Sequence, residues 1–191
     1  MNTLVIAHYR ENLDWLKNVR NMDIRVISRQ GLSSGTPPNK GNEASAYLEY
    51  IIQQYDHLSE YTVFVHGHRS AWHHRENMDE KLKRIVFDRS YRNINELELT
   101  RLANYPESME NVRKHLPGLQ EILGPIDINN LYFKCSAQFY VSKASIHSRP
   151  LDTYNRLYKY IMESETTIPF LGTVFEYLWH IIFTGNLVDK E

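Results

Sequence analysis

The sequence predicts an α/β fold, a single-domain three-layer sandwich whose helices cover both faces of a mostly parallel mixed sheet. Two observations carry this. A continuous apolar run at Leu4–Ala7 is of the kind buried on both faces of a sheet, and Tyr61–Val65 form a second, β-rich run. Between and after them lie stretches with helical three-and-four spacing, giving a strand–helix–strand–helix–strand order typical of parallel neighbours.

Each element follows in turn. After the first strand, Leu13, Leu16 and Val19 predict a helix within 11–20, and Ile24–Ser28 read as a second strand. QGLSSGTPPNKGN is irregular by its Gly, Ser, Pro and Asn content, and loops of that length often carry function. Asn42 is the expected N-cap of a helix whose Ala44, Tyr47, Leu48, Ile51, Ile52 and Tyr55 form a buried stripe. The strand 61–65 ends in a histidine cluster. A charged helix over 74–87 follows, with Met78, Leu82, Ile85 and Val86 inward. Residues 88–105 fit no single pattern, and Pro106 opens a helix over 106–116. Leu131–Val141 read as one bent or two short strands, and Ser142 and Pro150 punctuate two helices.

At 191 residues the chain suits one domain, 1–191, with a sizeable core. Apolar residues at 42% and charged residues at 24% give no sign of disorder or membrane insertion. A net charge of −1 argues against a nucleic-acid partner or an anionic membrane surface. The one cysteine, Cys135, rules out an intrachain disulfide and fits a reducing compartment. The first apolar run is too short for a signal-peptide core, and no run approaches the roughly 20 apolar residues of a membrane span. A cytoplasmic location is therefore expected.

The stretch VFVHGHRSAWHH, Val63–His74, holds four of the nine histidines. It falls at the carboxyl end of a strand, where open α/β sheets bind ligands, together with His8, Tyr9 and the 30–41 loop. If the backbone stays extended, His66 and His68 point to one side and both imidazoles face a single divalent ion. Mn²⁺, Fe²⁺ or Zn²⁺ accepts imidazole more readily than Mg²⁺. The competing expectation is that one histidine bonds backbone while the others, His73 among them, cap the next helix. Arg69 suits a phosphate held by two parallel hydrogen bonds, or an ordinary salt bridge. Trp72 suits stacking on a base or sugar, or burial beside a helix start.

Near the C-terminus, TVFEYLWHIIF sets Glu176 and His180 one helical turn apart on a polar face, with Phe175, Leu178, Trp179 and Ile182 facing the core. Such a pair is a surface contact or, in a cleft, a general base or metal ligand. In PPNKGNEA the helix start at Gly41–Asn42 offers free N–H groups to an anion, and Lys40 adds charge.

Together NKGNEASAYLEYIIQQYD, TVFVHGHRSAWHH, CSAQFYVSKASIHSRPLDTYNRLYKYI and VFEYLWHIIF resemble a eukaryotic family of uncharacterised domains. The layout is in turn similar to type-A (GT-A) glycosyltransferases, Rossmann-like enzymes that use nucleotide sugars. That resemblance puts LVIAHYREN, NKGNEA and VFVHGHR in the order of the nucleotide-binding strand, the Asn/Gly helix start and the strand that ends in Asp-x-Asp. Here His66-Gly67-His68 stands where the metal-binding carboxylates stand in such enzymes. Two substitutes follow: the histidines hold a softer ion, Mn²⁺ in preference to Mg²⁺, or Arg69 and Lys40 neutralise the leaving diphosphate without metal. The resemblance also implies that Cys135–Phe139 lie on the acceptor side and that Glu176 or His180 lies near the reacting centre.

The expected function is glycosyl transfer from a nucleotide diphosphate sugar to a glycan or other hydroxyl acceptor. His8, Tyr9, Lys40, Asn42 and Arg69 would serve the nucleotide, and Glu176, with His180 beside it, would serve as base. Two alternatives stay open. One is a metal-dependent hydrolase using the histidine cluster, although HGHRSAWHH lacks the Asp of an HxHxDH pattern. The other is a non-catalytic nucleotide- or carbohydrate-binding domain.

Overall fold

The computed structural model describes residues 1–31, 34–72, 75–165 and 168–189. Its five-stranded sheet contains β1 (Asn2–His8), β2 (Met22–Ser28), β3 (Tyr61–His66), β4 (Tyr91–Asn93) and a later strand, Phe139–Ser142. Between the last two, β5 (Thr100–Arg101) and β6 (Tyr132–Phe133) form a separate antiparallel pair, which makes Phe139–Ser142 β7. The strand order is β2-β1-β3-β7-β4. β1 lies parallel to both β2 and β3, while β7 runs antiparallel to β3 and β4. The expected mixed, mostly parallel sheet is present.

Side chains alternate across this sheet as the pleat requires. Val5, Phe64, Phe139, Val141 and Tyr91 enter the larger core. Leu4, Ile6, Val63, Val65 and Tyr140 enter the smaller one on the opposite face. Leu4, Val5 and Ile6 are wholly buried, which explains why the first strand reads as an unbroken apolar run.

The larger core is roofed by α1 (Glu43–Gln54), α3 (Pro106–Leu123), α5 (Leu151–Glu163), α6 (Ile168–Glu176) and α7 (Trp179–Thr184). Its centre is aromatic: Tyr47 meets Phe64 at 4.9 Å and Trp179 at 5.8 Å between ring centroids. Each fully buried large side chain here contributes about 1.5–3 kcal/mol of transfer free energy. Among the described residues the smaller core is covered by a 3₁₀ turn at Asp14–Asn18, the six-residue α2 (Met78–Lys83) and flanking chain. The sandwich is thus thick on one face and thin on the other. The remaining helix, α4 (Lys143–His147), follows β7 and is capped by Ser142, whose side chain accepts the Ser145 N–H as its position predicts.

Four expectations need correction. The helix expected within 11–20 is the 3₁₀ turn, because the Asn12 side chain accepts the Asp14 N–H and Val19 is already extended. The helix expected over 74–87 spans only Met78–Lys83, and Val86 is 66% exposed; residue 74 lies outside the described residues. The helix at Pro106 runs on to Leu123 through Pro117. Asn42 stands at the N-cap position of α1 without making a side-chain cap bond, since its backbone has φ 50°. Among the described residues, no helix is long and apolar enough to cross a membrane.

Candidate functional site

β1 and β3 run parallel and are paired Ala7 to His66, so His8 and His66 leave the sheet side by side. Two cavities open there. The first, of about 190 Å³, is lined by His8, Tyr9, Glu11, Arg29, Asn39, Asn42 and Glu43. The second, of about 580 Å³, is lined by Ser70, Ala71, Trp72, Cys135, Ser136, Thr173 and Glu176. His66 and His68 line both, so the two are arms of one cleft.

The first arm is built by packing around Gly67. The Gly67 N–H donates to the Ala7 carbonyl at 3.0 Å, and the Trp15 indole N–H donates to the Gly67 carbonyl at 2.8 Å. Glu11 packs on Gly67, and its Oε2 accepts the Tyr9 and Arg10 N–H groups at 2.7 and 3.2 Å. His8 is held with Nδ1 3.3 Å from the Ser28 hydroxyl and Nε2 3.3 Å from the Glu11 carbonyl. Arg29, 2% exposed, donates to the Ser28 and Ser45 carbonyls and to the Ser45 hydroxyl, and pairs with Glu49 at 2.6 Å.

The second arm rests on a polar lattice under the loop before β7. The Asn95 side chain donates to the Ser136 carbonyl at 2.7 Å, and Asn93 donates to the Lys134 carbonyl. The Gln138 amide donates to Asn95, and its Oε1 accepts the His66 N–H at 3.3 Å. This lattice fixes Ser136 at φ 69° with its N–H aimed at Glu176 Oε2, 2.9 Å away. The Cys135 thiol donates to the same oxygen at 3.4 Å. Among the described residues no hydrogen-bond partner falls on Glu176 Oε1.

The electrostatics centre on two carboxyls. Glu43, in the first turn of α1, has a proton affinity well above the usual carboxylate range, first through burial and then through the charge of Glu176. Glu176 is raised chiefly by burial, against the opposing hydrogen bonds from Cys135 and Ser136. Burial and the Glu176 charge also push the Cys135 thiol up to about 12, so it stays a protonated donor and not a nucleophile at neutral pH.

Of the residues predicted from sequence, His8, Tyr9, Asn42, His66, His68 and Glu176 line the cleft. The other three are engaged elsewhere. Lys40 donates its Nζ to the Met162 carbonyl at 2.6 Å. Arg69 makes a bidentate bridge to Asp79 at 3.0 and 3.1 Å, anchoring α2. His180 is 2% exposed, bonds to the Leu187 backbone, and is held by burial at about 4. Glu176 and His180 do not share a polar face, because Tyr177 and Leu178 make three-residue-back hydrogen bonds to Val174 and Phe175 that break the helix between them.

His66 and His68 lie beside different carboxylates. β3 ends at His66, so the strand alternation stops before His68. The Nε2 of His66 lies 3.9 Å from Glu43, whereas that of His68 lies 3.7 Å from Glu11. Among the described residues no three His, Cys, Asp or Glu side chains form a group able to hold a metal ion as they stand. His73 lies outside the described residues.

Glu11, Arg29 and Glu43 belong to the site without having been singled out from sequence, whereas Ser136 falls in the Cys135–Phe139 stretch expected on the acceptor side. A glutamate in a first helical turn ordinarily reads as a partner of the helix dipole, and an arginine after a strand as a surface cation. Only the fold reveals their burial.

Residues 4–191 match the model of a family described as Protein of unknown function (DUF3431). No curated protein and no solved structure matches the chain.

Proposed function

The chain belongs to the DUF3431 family, and for this member of it we propose the inverting transfer of a sugar from a nucleoside diphosphate sugar to a hydroxyl acceptor. The observation that carries the reading is the two-armed cleft at the ends of β1 and β3, joined at His66 and His68, with Glu176 on the wider arm. Ligands of open α/β sheets bind in that position.

In this reading the donor's diphosphate occupies the arm of His8, Tyr9 and Asn42, whose volume of about 190 Å³ leaves the rest of the nucleotide sugar outside it. The N-terminus of α1 favours the diphosphate there, while Arg29, paired with Glu49, holds the wall of the arm. Burial and Glu176 raise the proton affinity of Glu43, which lessens the charge it opposes to the diphosphate. The acceptor occupies the arm of Ser70, Ser136 and Glu176. Glu176 takes the hydroxyl proton as the oxygen attacks the anomeric carbon. The new C–O bond forms as the bond from that carbon to the diphosphate oxygen breaks, so a nucleoside diphosphate leaves and the proton stays on Glu176. The raised proton affinity of Glu176 makes it a stronger base than an ordinary carboxylate. A hydrolase driven by a histidine-bound ion draws less support, since the two imidazoles turn to different carboxylates.

The test is a panel of nucleoside diphosphate sugars read by thermal shift, with Mn²⁺ and with chelator. Binding to the folded state adds about 2.7 kcal/mol at a hundredfold excess over Kd. A shift with at least one donor, followed by release of its nucleoside diphosphate when acceptor is added, is the expected result. No shift with any donor at millimolar concentration removes the reading.

A further inference from the structure

We infer that the hydroxyl acceptor is a small hydroxyaryl molecule, its ring seated in an aromatic pocket that opens off the wider arm of the cleft. The inference rests on the transfer reading for the word acceptor, but the pocket is a separate observation. A cavity of about 340 Å³ is lined by Trp72, Leu99, Tyr105, Phe133 and Tyr177, and Cys135 closes it on the cleft side. Cys135 and Trp72 also line the arm that holds Glu176, so the pocket and the base share a wall.

The lining selects for rings. Phe133 and Tyr177 lie 4.4 Å apart at 57°, and Tyr105 stands 6.3 Å from Phe133 at 59°. A flat ligand entering among faces already tilted this way gains edge and face contacts that an aliphatic chain does not. A cavity of about 150 Å³ holds benzene, so this volume takes a fused ring or a ring with a short substituent. Three of its apolar side chains are solvent-exposed, Trp72 at 79%, Tyr105 at 48% and Leu99 at 42%. A soluble domain leaves such side chains together where a partner or ligand covers them. The Tyr177 hydroxyl already donates to Ser108 at 3.0 Å. Glu98 and Thr100 add polar atoms to the same lining, and on the transfer reading the ligand's hydroxyl is the one turned to the Cys135 end, where Glu176 lies.

The probe is 2-naphthol, titrated into the full chain and read both by calorimetry and by thermal shift, with decahydro-2-naphthol as the saturated counterpart. Saturable binding is expected, about tenfold weaker in Leu99→Glu and in Tyr105→Ala, both at exposed positions. Equal affinity for the saturated alcohol, equal affinity in both variants, or no saturable binding overturns the inference. The two readings fail separately. If 2-naphthol binds and no nucleoside diphosphate sugar does, the pocket stands and transfer falls. If a sugar is transferred to a non-aromatic acceptor and 2-naphthol does not bind, transfer stands and this inference falls.

Discussion

Glu43 and Glu176 reach the same cleft from different helices, and the charge of Glu176 adds to burial in raising the proton affinity of Glu43. A carboxyl whose folded-state pKa lies above its unfolded value binds more protons when folded, so stability falls as pH rises between the two. The favourable contribution is complete below the ordinary glutamate value, about 4.3, and is lost as pH passes through the raised folded value. Glu43→Gln should therefore melt higher than the unmodified protein at pH 8 and at the same temperature near pH 4. A difference of a few degrees is expected, since about 1 kcal/mol corresponds to about 2–4 °C in a chain of this size. Calorimetry across that pH range decides it; a lower melting temperature for Glu43→Gln at pH 8 would show that the carboxylate is stabilised there.

Glu176→Gln keeps an oxygen for the Ser136 N–H but cannot take a proton. Transfer should drop by about 10²–10⁴, the usual contribution of a positioned general base, while donor binding stays within a few-fold. Steady-state rates and a donor titration on the same preparation separate the two. An unchanged rate would move the base elsewhere.

Cys135 should behave as a packed donor. With its thiol pushed up to about 12, alkylation by iodoacetamide at pH 7.5 should be far slower than for free cysteine, and Cys135→Ser should retain most activity. Rapid labelling under native conditions, followed by mass spectrometry, would contradict the burial that sets its pKa.

The sheet was legible because its signals are local. Leu4–Ala7 and Tyr61–Val65 are apolar on both faces because β1 and β3 are buried on both faces, and α1 repeats its stripe over three turns. The Asp14–Asn18 turn was misread as a helix because Leu13 and Leu16 do pack inward, and five residues of 3₁₀ turn give the same spacing as one turn of α-helix. For the site, the strand ends predicted where ligands bind but not which side chains are already engaged. Arg69 and Lys40 are cations in the right stretch of chain, yet Asp79 and the Met162 carbonyl take them, and both partners are remote from any motif. Glu43 and Glu176 are 133 positions apart, so their coupling has no trace in sequence spacing.

The Arg69–Asp79 bridge favours the salt-bridge alternative for Arg69 over the diphosphate one. Asp79 is 1% exposed and depends on Arg69, with Asn18 at 2.8 Å as its other side-chain donor. Arg69→Ala should lower the melting temperature by several degrees, because a buried carboxylate loses two charge-assisted bonds. Affinity for a nucleoside diphosphate, measured below the melting range, should be unchanged. Loss of affinity without loss of stability would return Arg69 to the diphosphate.

Gly67 offers the sharpest test of how the histidine segment is held. A Cβ at this position would lie 2.8 Å from Glu11 Oε2 and 3.0 Å from Glu11 Cβ and Cδ, closer than side-chain atoms pack. Glu11 has little freedom to yield, since that oxygen is bonded to the Tyr9 and Arg10 N–H groups. Nor can Gly67 move outward readily, because its N–H and carbonyl are tied to Ala7 and Trp15. Gly67→Ala should therefore cost about 1–3 kcal/mol, the usual range for overpacking. Glu11→Ala alone should also destabilise, by stripping the two amides of their acceptor. If the clash is the cause, the double variant Glu11→Ala/Gly67→Ala should be less destabilised than the sum of the singles, with a coupling of about 0.5–3 kcal/mol. Chemical denaturation of the four proteins closes the cycle. Additive losses would mean that Glu11 is not what requires glycine between His66 and His68.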